Sequence, residues 1–296
     1  MIINRQNLAF LTTGFKAIFQ GAFDTAPSAW DRIAMTVPSN AKQEVYGWLG
    51  ANTRFREWIG DRQVQNLSTH DWTIKNLQFE NTISVKRIDI ELDTYGMYRP
   101  VFSQLGMDAK THPDELVFSL LKAGFNSLCY DKQYFFDTDH PVQDANGNET
   151  SVSNFGGGTG TAWYLIDTSK AVKPIIFQKV KDYAFVALDR ETDDPVFWRG
   201  EYIYGADAFL NVGYALWRLA YASKQPLDEA NYAAARTAMM SLTGDGGRPL
   251  NVNPTLLVVP PSLEMAALKL LNAEMIGATT NLYRNTAELL VTPWLN

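Results

Sequence analysis

The feature that most constrains this chain is an alternation of apolar residues between 61 and 93 that changes phase. The successive pairs or groups that share a face are Trp72 and Ile74, Leu77 and Phe79, Ile83 and Val85, and then Ile88, Ile90 and Leu92. A strand with one buried face does not drift in this way, because each one-residue slip turns every side chain to the other face. The pattern predicts a long, twisted two-stranded arm. Two ordinary strands of a mixed sheet with bulges are the alternative.

Helical spacing dominates on both sides of this segment. Apolar residues recur every three or four positions from Leu8 to Phe23, which predicts an N-terminal helix. The stretch from Thr94 to Gly124 predicts a second, long and kinked helical element. It has one start near Pro100 and another at Thr111, where a capping-box-like pattern precedes a proline.

The second half of the chain mixes strands and helices. Asn146-Gly147 is a hairpin-turn signal, and the all-apolar run from Thr255 to Val259 predicts a strand. A helix is expected to begin at Asp228, and another follows Pro260. The strand followed by a helix at 255–271 belongs to an α/β or α+β layer; the resemblance described below favours the α+β class.

Composition excludes several classes of protein. The 296 residues carry a net charge of −6, which argues against sequence-reading nucleic-acid binding because that leaves a basic footprint. The single cysteine, Cys129, cannot form an internal disulfide, as fits a reducing compartment. No apolar run approaches the roughly 20 residues of a membrane helix, so no membrane association is expected.

One candidate for chemistry is a D-x-D-H cluster, Asp137, Asp139 and His140, with Asp131 nearby. Aspartate and histidine are metal ligands and hydrolase residues, but a residue pair before Pro141 also suits an ordinary turn. A nucleophilic role for Cys129 would need a paired base, and no such signature surrounds it. We therefore predict no catalytic residue, metal or cofactor.

Short sequence blocks occur in a fixed order along most of the chain. They are Tyr46 to Gly50, Glu57 to Gly60, Pro113 to Leu116, Leu120 to Phe125, Cys129 to Asp131, Phe135-Phe136, His140-Pro141, Ala171 to Pro174, Phe177-Gln178, Gly244 to Gly247 and Val258 to Pro260. In this order the chain resembles the major head proteins of Mu-like tailed phages, the gpT family.

The resemblance implies the Hong Kong 97-type capsid fold. That fold has an N-terminal arm, an extended β-hairpin loop, a peripheral domain with a long spine helix, and an axial domain. On this sequence the expected divisions are 1–60 for the arm, 61–93 for the loop, 94–160 with 180–225 for the peripheral domain, and 161–179 with 226–296 for the axial domain.

The resemblance also implies assembly as the function. The expected product is an icosahedral shell of hexamers and pentamers around phage double-stranded DNA, assembled in the host cytoplasm with a separate scaffolding protein and a portal. Contact with the DNA would be non-specific. An encapsulin-like nanocompartment shell is the first alternative, and a soluble metal-dependent hydrolase using Asp137, Asp139 and His140 is the second.

Apolar side chains of the arm and the loop are the predicted subunit contacts. An isolated two-stranded hairpin is marginally stable in water, so this one is expected to lie on a neighbouring subunit. An ordinary N-terminal core is the alternative for the aromatic residues. The predicted interface residues are Phe15, Phe19, Phe23, Trp30, Trp72, Ile74, Leu77, Phe79, Ile83 and Val85.

Overall fold

The computed structural model describes residues 5–49, 71–92, 95–276 and 278–296. Six α-helices occur in these ranges: α1 Arg5–Thr25, α2 Arg87–Glu91, α3 Arg99–Ala123, α4 Asp194–Arg199, α5 Glu229–Met240 and α6 Glu264–Asn272. None of the helices in the described ranges is both long and apolar enough to cross a membrane.

The described strands form two larger sheets and three small ladders. They are β1 Ala34–Pro38, β2 Gln43–Val45, β3 Thr73–Lys75, β4 Leu77–Lys86, β5 His140–Gln143, β6 Glu149–Val152, β7 Phe155–Gly158, β8 Trp163–Ile166, β9 Ile175–Leu188, β10 Glu201–Tyr214, β11 Ala220–Lys224, β12 Leu256–Val259, β13 Met275–Ile276, β14 Thr279–Thr280 and β15 Glu288–Val291. The strand orders are β1-β9-β10-β4 and β15-β12-β8-β11-β7. The mixture of helices and sheets confirms the predicted α+β class.

Helices α1 and α3 cover one face of the four-stranded sheet. The stripe predicted for the N-terminal helix lies against this sheet, and Phe15 stacks on Phe102 of α3 with ring centroids 4.2 Å apart. Gly106 permits the close crossing, because a Cβ there would lie 2.3 Å from the carbonyl oxygen of Phe19. The opposite face of β4 bears exposed polar side chains, so this part of the sheet is covered on one side only. The start of β9, Ile175 to Gln178, is buried on both faces.

The five-stranded sheet lies at the centre of the larger core. All four residues of β8 and all four of β12 are buried, as expected for strands covered on both faces. Helices α5 and α6 pack against it, and aromatic residues after α3 pack with its Tyr164, including Phe125 and Phe136. This core is formed by residues from both halves of the chain.

The two-stranded arm is predicted for 61–93, and in the described part of this range, residues 71–92, the expected pairing of the chain with itself is wrong. Strand β4 does not turn back on β3; it pairs antiparallel with β10 over its whole length, from Leu77 with Leu210 to Lys86 with Glu201. The group Ile88, Ile90 and Leu92 is not a strand, because the chain enters α2 directly after β4. Residues 61–70 lie outside the described ranges.

A different ladder precedes β4. Strands β2 and β3 pair antiparallel, with Gln43 opposite Lys75 and Val45 opposite Thr73. The pairing therefore holds the end of β2 beside the start of β3. Residues 50–70, which connect these strands, are outside the described ranges.

The long helix predicted from Thr94 to Gly124 is present as α3, preceded by a 3-10 turn at Tyr95–Tyr98. The expected second start at Thr111 is wrong, because α3 continues through Pro113 without ending. The predicted hairpin around Asn146-Gly147 is confirmed by the pairing of β5 with β6.

The division into domains remains a prediction. Several of its boundaries divide a strand or a sheet that is continuous in the structure. The boundary between 179 and 180 lies inside β9, and β11, placed in the peripheral domain, belongs to the same sheet as β8 and β12. Strand β1, placed in the arm, is part of the four-stranded sheet.

Candidate functional site

The side chains of Asp137 and Asp139 interact with each other but do not join His140 in a metal-binding arrangement of the described residues. His140 is fully buried, whereas Asp139 is exposed. Asp137 accepts hydrogen bonds from the backbone nitrogens of Tyr134 and Thr138, at 3.1 and 2.8 Å, and so builds a turn. The expected turn of Asp139 and His140 is not what forms here, because His140 is the first residue of β5. The three side chains do not converge on one centre.

His140 instead forms a buried polar cluster with Asp131 and Cys129. Their ligand-type atoms lie within 4.8 Å of one another. The Nδ1 atom of His140 lies 2.7 Å from Oδ2 of Asp131, and the Cys129 thiol donates to Oδ1 of the same carboxylate at 3.0 Å. The sequence pointed to Asp131 and His140, but nothing in it linked Cys129 to them.

The protonation chemistry of this cluster is that of a closed hydrogen-bond network. Burial raises the pKa of the Cys129 thiol strongly, so the nucleophilic thiolate is disfavoured. Burial also acts to raise the pKa of Asp131, but the hydrogen bond and charge of His140 outweigh it and lower that pKa. Cysteine, aspartate and histidine could bind zinc as a set, but here they satisfy one another at hydrogen-bond distance.

The network connects three segments of the chain. The Nε2 atom of His140 lies 3.2 Å from Oδ1 of Asn154, whose amide nitrogen donates to the carbonyl of Phe135 at 2.8 Å. The His140 ring stacks on Trp217, with centroids 3.9 Å apart and planes inclined by 11°. We infer a structural role, in which the cluster fixes the connection between α3 and β5.

The ten predicted interface residues differ widely in exposure. Within this one chain four are buried, five are half-buried and one is exposed. The buried ones are Phe15, Phe19, Ile74 and Val85; the half-buried ones are Phe23, Trp30, Trp72, Phe79 and Ile83; Leu77 is exposed.

Several of the half-buried rings already have partners in their own chain. The Trp72 indole donates to the carbonyl of Tyr214 at 3.0 Å, and the Trp30 ring lies 4.3 Å from that of Phe177. These residues therefore take part in packing within the subunit. Their role between subunits remains a prediction. Leu77, at the start of the edge strand β4, is 49% exposed and has the most surface left for a partner.

The most prominent features of the described residues are therefore exposed surfaces that could contact other protein chains. The sheet edge at β4, the open face of the four-stranded sheet and several large exposed apolar side chains are features of a protein that assembles. The class defined by this architecture is a structural, assembly-forming protein.

Comparison with known proteins gives the family. The model of the family described as "Mu-like prophage major head subunit gpT" matches residues 8–295, and the chain belongs to this family. The "Major capsid protein" of Escherichia phage Mu is 40% identical over 305 residues and is covered completely, as is this chain. The "Mu-like prophage FluMu major head subunit" of Haemophilus influenzae is 42% identical over 272 residues, which are 90% of this chain and 88% of that one.

Solved structures agree with this assignment. A chain of "Procapsid of bacteriophage JBD30 computed in I4 symmetry" is 41% identical and superposes with a TM-score of 0.88, covering 99% of this chain and 100% of that one. A chain of "Bacteriophage JBD30 capsid" is 33% identical with a TM-score of 0.78 over the full length of both. The predicted family and the Hong Kong 97-type capsid fold are confirmed.

The chain is therefore a major capsid protein of a Mu-like phage and a component of the virion capsid. Its family consists of structural head subunits and not of enzymes, so the hydrolase alternative is excluded. The same match favours a phage head protein over a nanocompartment shell.

Proposed function

We propose that copies of this chain assemble as hexamers and pentamers into a closed icosahedral shell around phage double-stranded DNA. The observation that carries the proposal is the likeness, over the full chain, to subunits of a solved procapsid and a solved capsid. A net charge of −6 suits a wall that contacts DNA only weakly and without sequence preference.

The extended loop of this shell protein is better bounded by the β2–β3 ladder than by 61–93. The pairing of Val45 with Thr73 holds both ends of the connecting segment together. This segment contributes to a contact with a neighbouring subunit, with Trp72 and Ile74 at its base. Strand β4, which pairs with β10, belongs to the body of the protein and carries Leu77 and Ile83 with it.

Assembly takes place in the host cytoplasm with a separate scaffolding protein and a portal. The existence of a procapsid form of the similar JBD30 chain supports a precursor stage in which such partners act. A further structure shows the JBD30 capsid "decorated with minor capsid protein trimers". By this likeness we infer a minor capsid protein as a further partner of this chain.

The test is electron microscopy of particles formed when the full chain is produced together with the other head genes of its phage. Icosahedral particles that protect DNA from nuclease are expected. Replacement of residues 50–70 by a short Gly-Ser linker should leave a folded subunit with a cooperative thermal transition but abolish the particles.

A matched control inserts a linker of the same length into the exposed turn between β5 and β6, and this variant should still assemble. A linker variant of 50–70 that unfolds would show that this segment belongs to the core. One that assembles normally would show that the essential contact lies elsewhere.

A further inference from the structure

One end of the subunit concentrates exposed apolar side chains. Here β4 passes into α2, β9 ends, α4 connects it to β10, and α1 and α3 begin. The backbone nitrogen of Arg87 donates to the carbonyl of Gly200 at 2.8 Å, and the Thr12 hydroxyl donates to Asp189, so these segments are in contact. The large apolar side chains exposed here are Phe10, Ile88, Leu92, Met97, Val101, Leu188, Phe197 and Trp198.

The most exposed part of this end is an aromatic pair, Phe197 and Trp198, which we call the knob. The two side chains are 70% and 76% exposed. Their rings contact edge to face, with centroids 5.0 Å apart and planes at 90°. Two such rings can bury 150–250 Å² each in a partner.

The knob is held in a fixed position by its short helix. Pro195 lies in the first turn of α4, and Gly200 ends the helix with a φ of 64°, which favours glycine. Between them Val196 is buried and anchors α4 in the core under α1. A rigid aromatic pair loses little conformational entropy on binding, as is typical of residues that dominate interfaces.

The same end carries a groove between α1 and the start of α3. It is lined by Phe10, Leu11, Gly14, Phe15, Ala17, Ile18 and Arg99 and has a volume of about 480 Å³. Gly14 leaves its floor open, since a Cβ there would meet no atom within 4 Å. The lining is apolar except for one cation, Arg99.

The knob and the groove each have one nearby charged side chain, and the two charges are opposite in sign. Asp194, at the start of α4 beside the knob, is exposed, and among the described residues it has no hydrogen-bond or ion-pair partner; the same holds for Arg99 in the groove. We propose that the knob of one subunit inserts into the groove of a second copy of this chain, with Asp194 paired to Arg99. This inference rests on the shell function proposed above and identifies one of its contacts.

A second copy is the partner that the observations favour. Knob and groove are both on this chain, Asp194 beside the knob is opposite in sign to Arg99 in the groove, and both features lie at the same end of the subunit. One contact therefore brings the same ends of successive copies together; Arg199, at the other end of α4, is not part of the proposed pair. Two rings bury roughly 300–500 Å², well below the about 1,600 Å² of a stable pair. The contact is therefore weak alone and acts through repetition in a closed shell.

The first test compares particle yield for the wild type, the double variant Phe197→Ala/Trp198→Ala, and the control Met265→Ala. Met265 is 77% exposed on α6, away from the knob. Loss of the knob should lower the yield of sedimenting particles at least about tenfold, whereas the control stays within about twofold. The thermal transition of the unassembled double variant should match that of the wild type.

The second test exchanges the charges. Arg99→Asp and Asp194→Arg should each lower particle yield, and the combination of both in one chain should restore it, because the pair is re-formed with reversed sign. Asp194→Arg also weakens the start of α4, and the thermal transition of the unassembled variant reports that effect separately. If each single change lowered particle yield only by destabilising the fold, combining them would lower the yield further. Restored yield in the double variant therefore indicates direct pairing.

The outcomes separate the two proposals. Wild-type chains that form no particles with their head proteins would overturn the shell function and this contact together. Normal yields for the wild type and the double knob variant would overturn the knob contact alone and direct attention to a minor or scaffolding protein as the occupant. Single reversals that are harmless, or that the double reversal does not rescue, would overturn the pairing of knob with groove.

Discussion

The five-stranded sheet is buried on both faces at its centre, whereas the four-stranded sheet, apart from the start of β9, is covered by helices on one face only. Trp163 and Leu165 on one face of β8, and Tyr164 and Ile166 on the other, are all fully or almost fully buried. In the four-stranded sheet, alternate residues of β4 are exposed, as are Leu188 of β9 and the nearby knob. The two-sided sheet is thus suited to stabilise the fold, and the one-sided sheet leaves surface for neighbouring copies.

The largest effect should follow from a cavity in the two-sided sheet. Leu165→Ala removes a fully buried side chain from the strand between β11 and β12. Large-to-small changes at such sites lower the free energy of unfolding by about 2–5 kcal/mol. Chemical denaturation of the unassembled subunit measures this, and a loss under 1 kcal/mol would contradict the view that this sheet dominates stability.

A smaller loss is expected where the helices cross the one-sided sheet. Gly106→Ala places a Cβ against the backbone of α1 and should separate α1 from α3, at a cost of about 1–3 kcal/mol. Gly21→Ala is the matched control, because a Cβ at this position of α1 meets nothing within 4 Å. The control should stabilise the subunit by about 0.5–1 kcal/mol; equal effects of both changes would argue against a tight crossing.

Asp131 in the buried polar cluster predicts a loss of stability in acid. The pKa of Asp131 is lowered in the folded state, so in acid the unfolded chain binds this proton first. Its contribution to stability is therefore complete above about pH 4, the unfolded pKa, and is lost as the pH falls through the lower, folded pKa.

Asp131→Asn should consequently make the free energy of unfolding fall less steeply below about pH 4 than in the wild type. The control is Asp182→Asn, whose carboxylate is largely exposed. Circular dichroism measures the free energy of unfolding at each pH. If it fell with pH equally steeply in the wild type and in Asp131→Asn, Asp131 would not be a cause of the loss of stability in acid.

The smallest effect on stability belongs to the knob. Trp198→Ala should change the free energy of unfolding by no more than about 0.5 kcal/mol, as for other exposed positions, since 76% of the side chain is already in water. A destabilisation of 2 kcal/mol or more in the thermal transition would mean that the knob packs internally, and would remove the contrast between the two sheets.

Sequence patterns were sufficient where the contact was local. The spacing of Leu8, Leu11 and Phe15 located α1, because a helix repeats its buried face within one segment. The Asn146-Gly147 turn located the β5–β6 hairpin for a similar reason, since the paired strands adjoin the turn.

Long-range pairing was beyond the sequence. The alternation in β4 is real, but an alternating strand does not reveal its partner, and β10 begins more than a hundred residues later in the chain. Ile88 and Ile90 alternate as a strand would, yet they lie on a helix of a single short turn, where period two and period four coincide too briefly to be separated. The contact of Cys129 with Asp131 and His140 depends on the turn between them, which brings His140 back beside Cys129. The sequence does not show this turn.

The β5–β6 hairpin has a consequence for how foreign peptides could be presented on this protein. Its base is fixed, because the backbone nitrogen of Gln143 donates to the Asp245 carboxylate and the Gln143 carbonyl accepts from the backbone nitrogen of Gly246. Asn146 to Thr150, by contrast, are exposed. An epitope spliced between Asn146 and Gly147 would extend from a clamped stem without disturbing either sheet. If that stem faces outward in the shell, every copy of the subunit would present one epitope, and the particle would become a dense, regular antigen array.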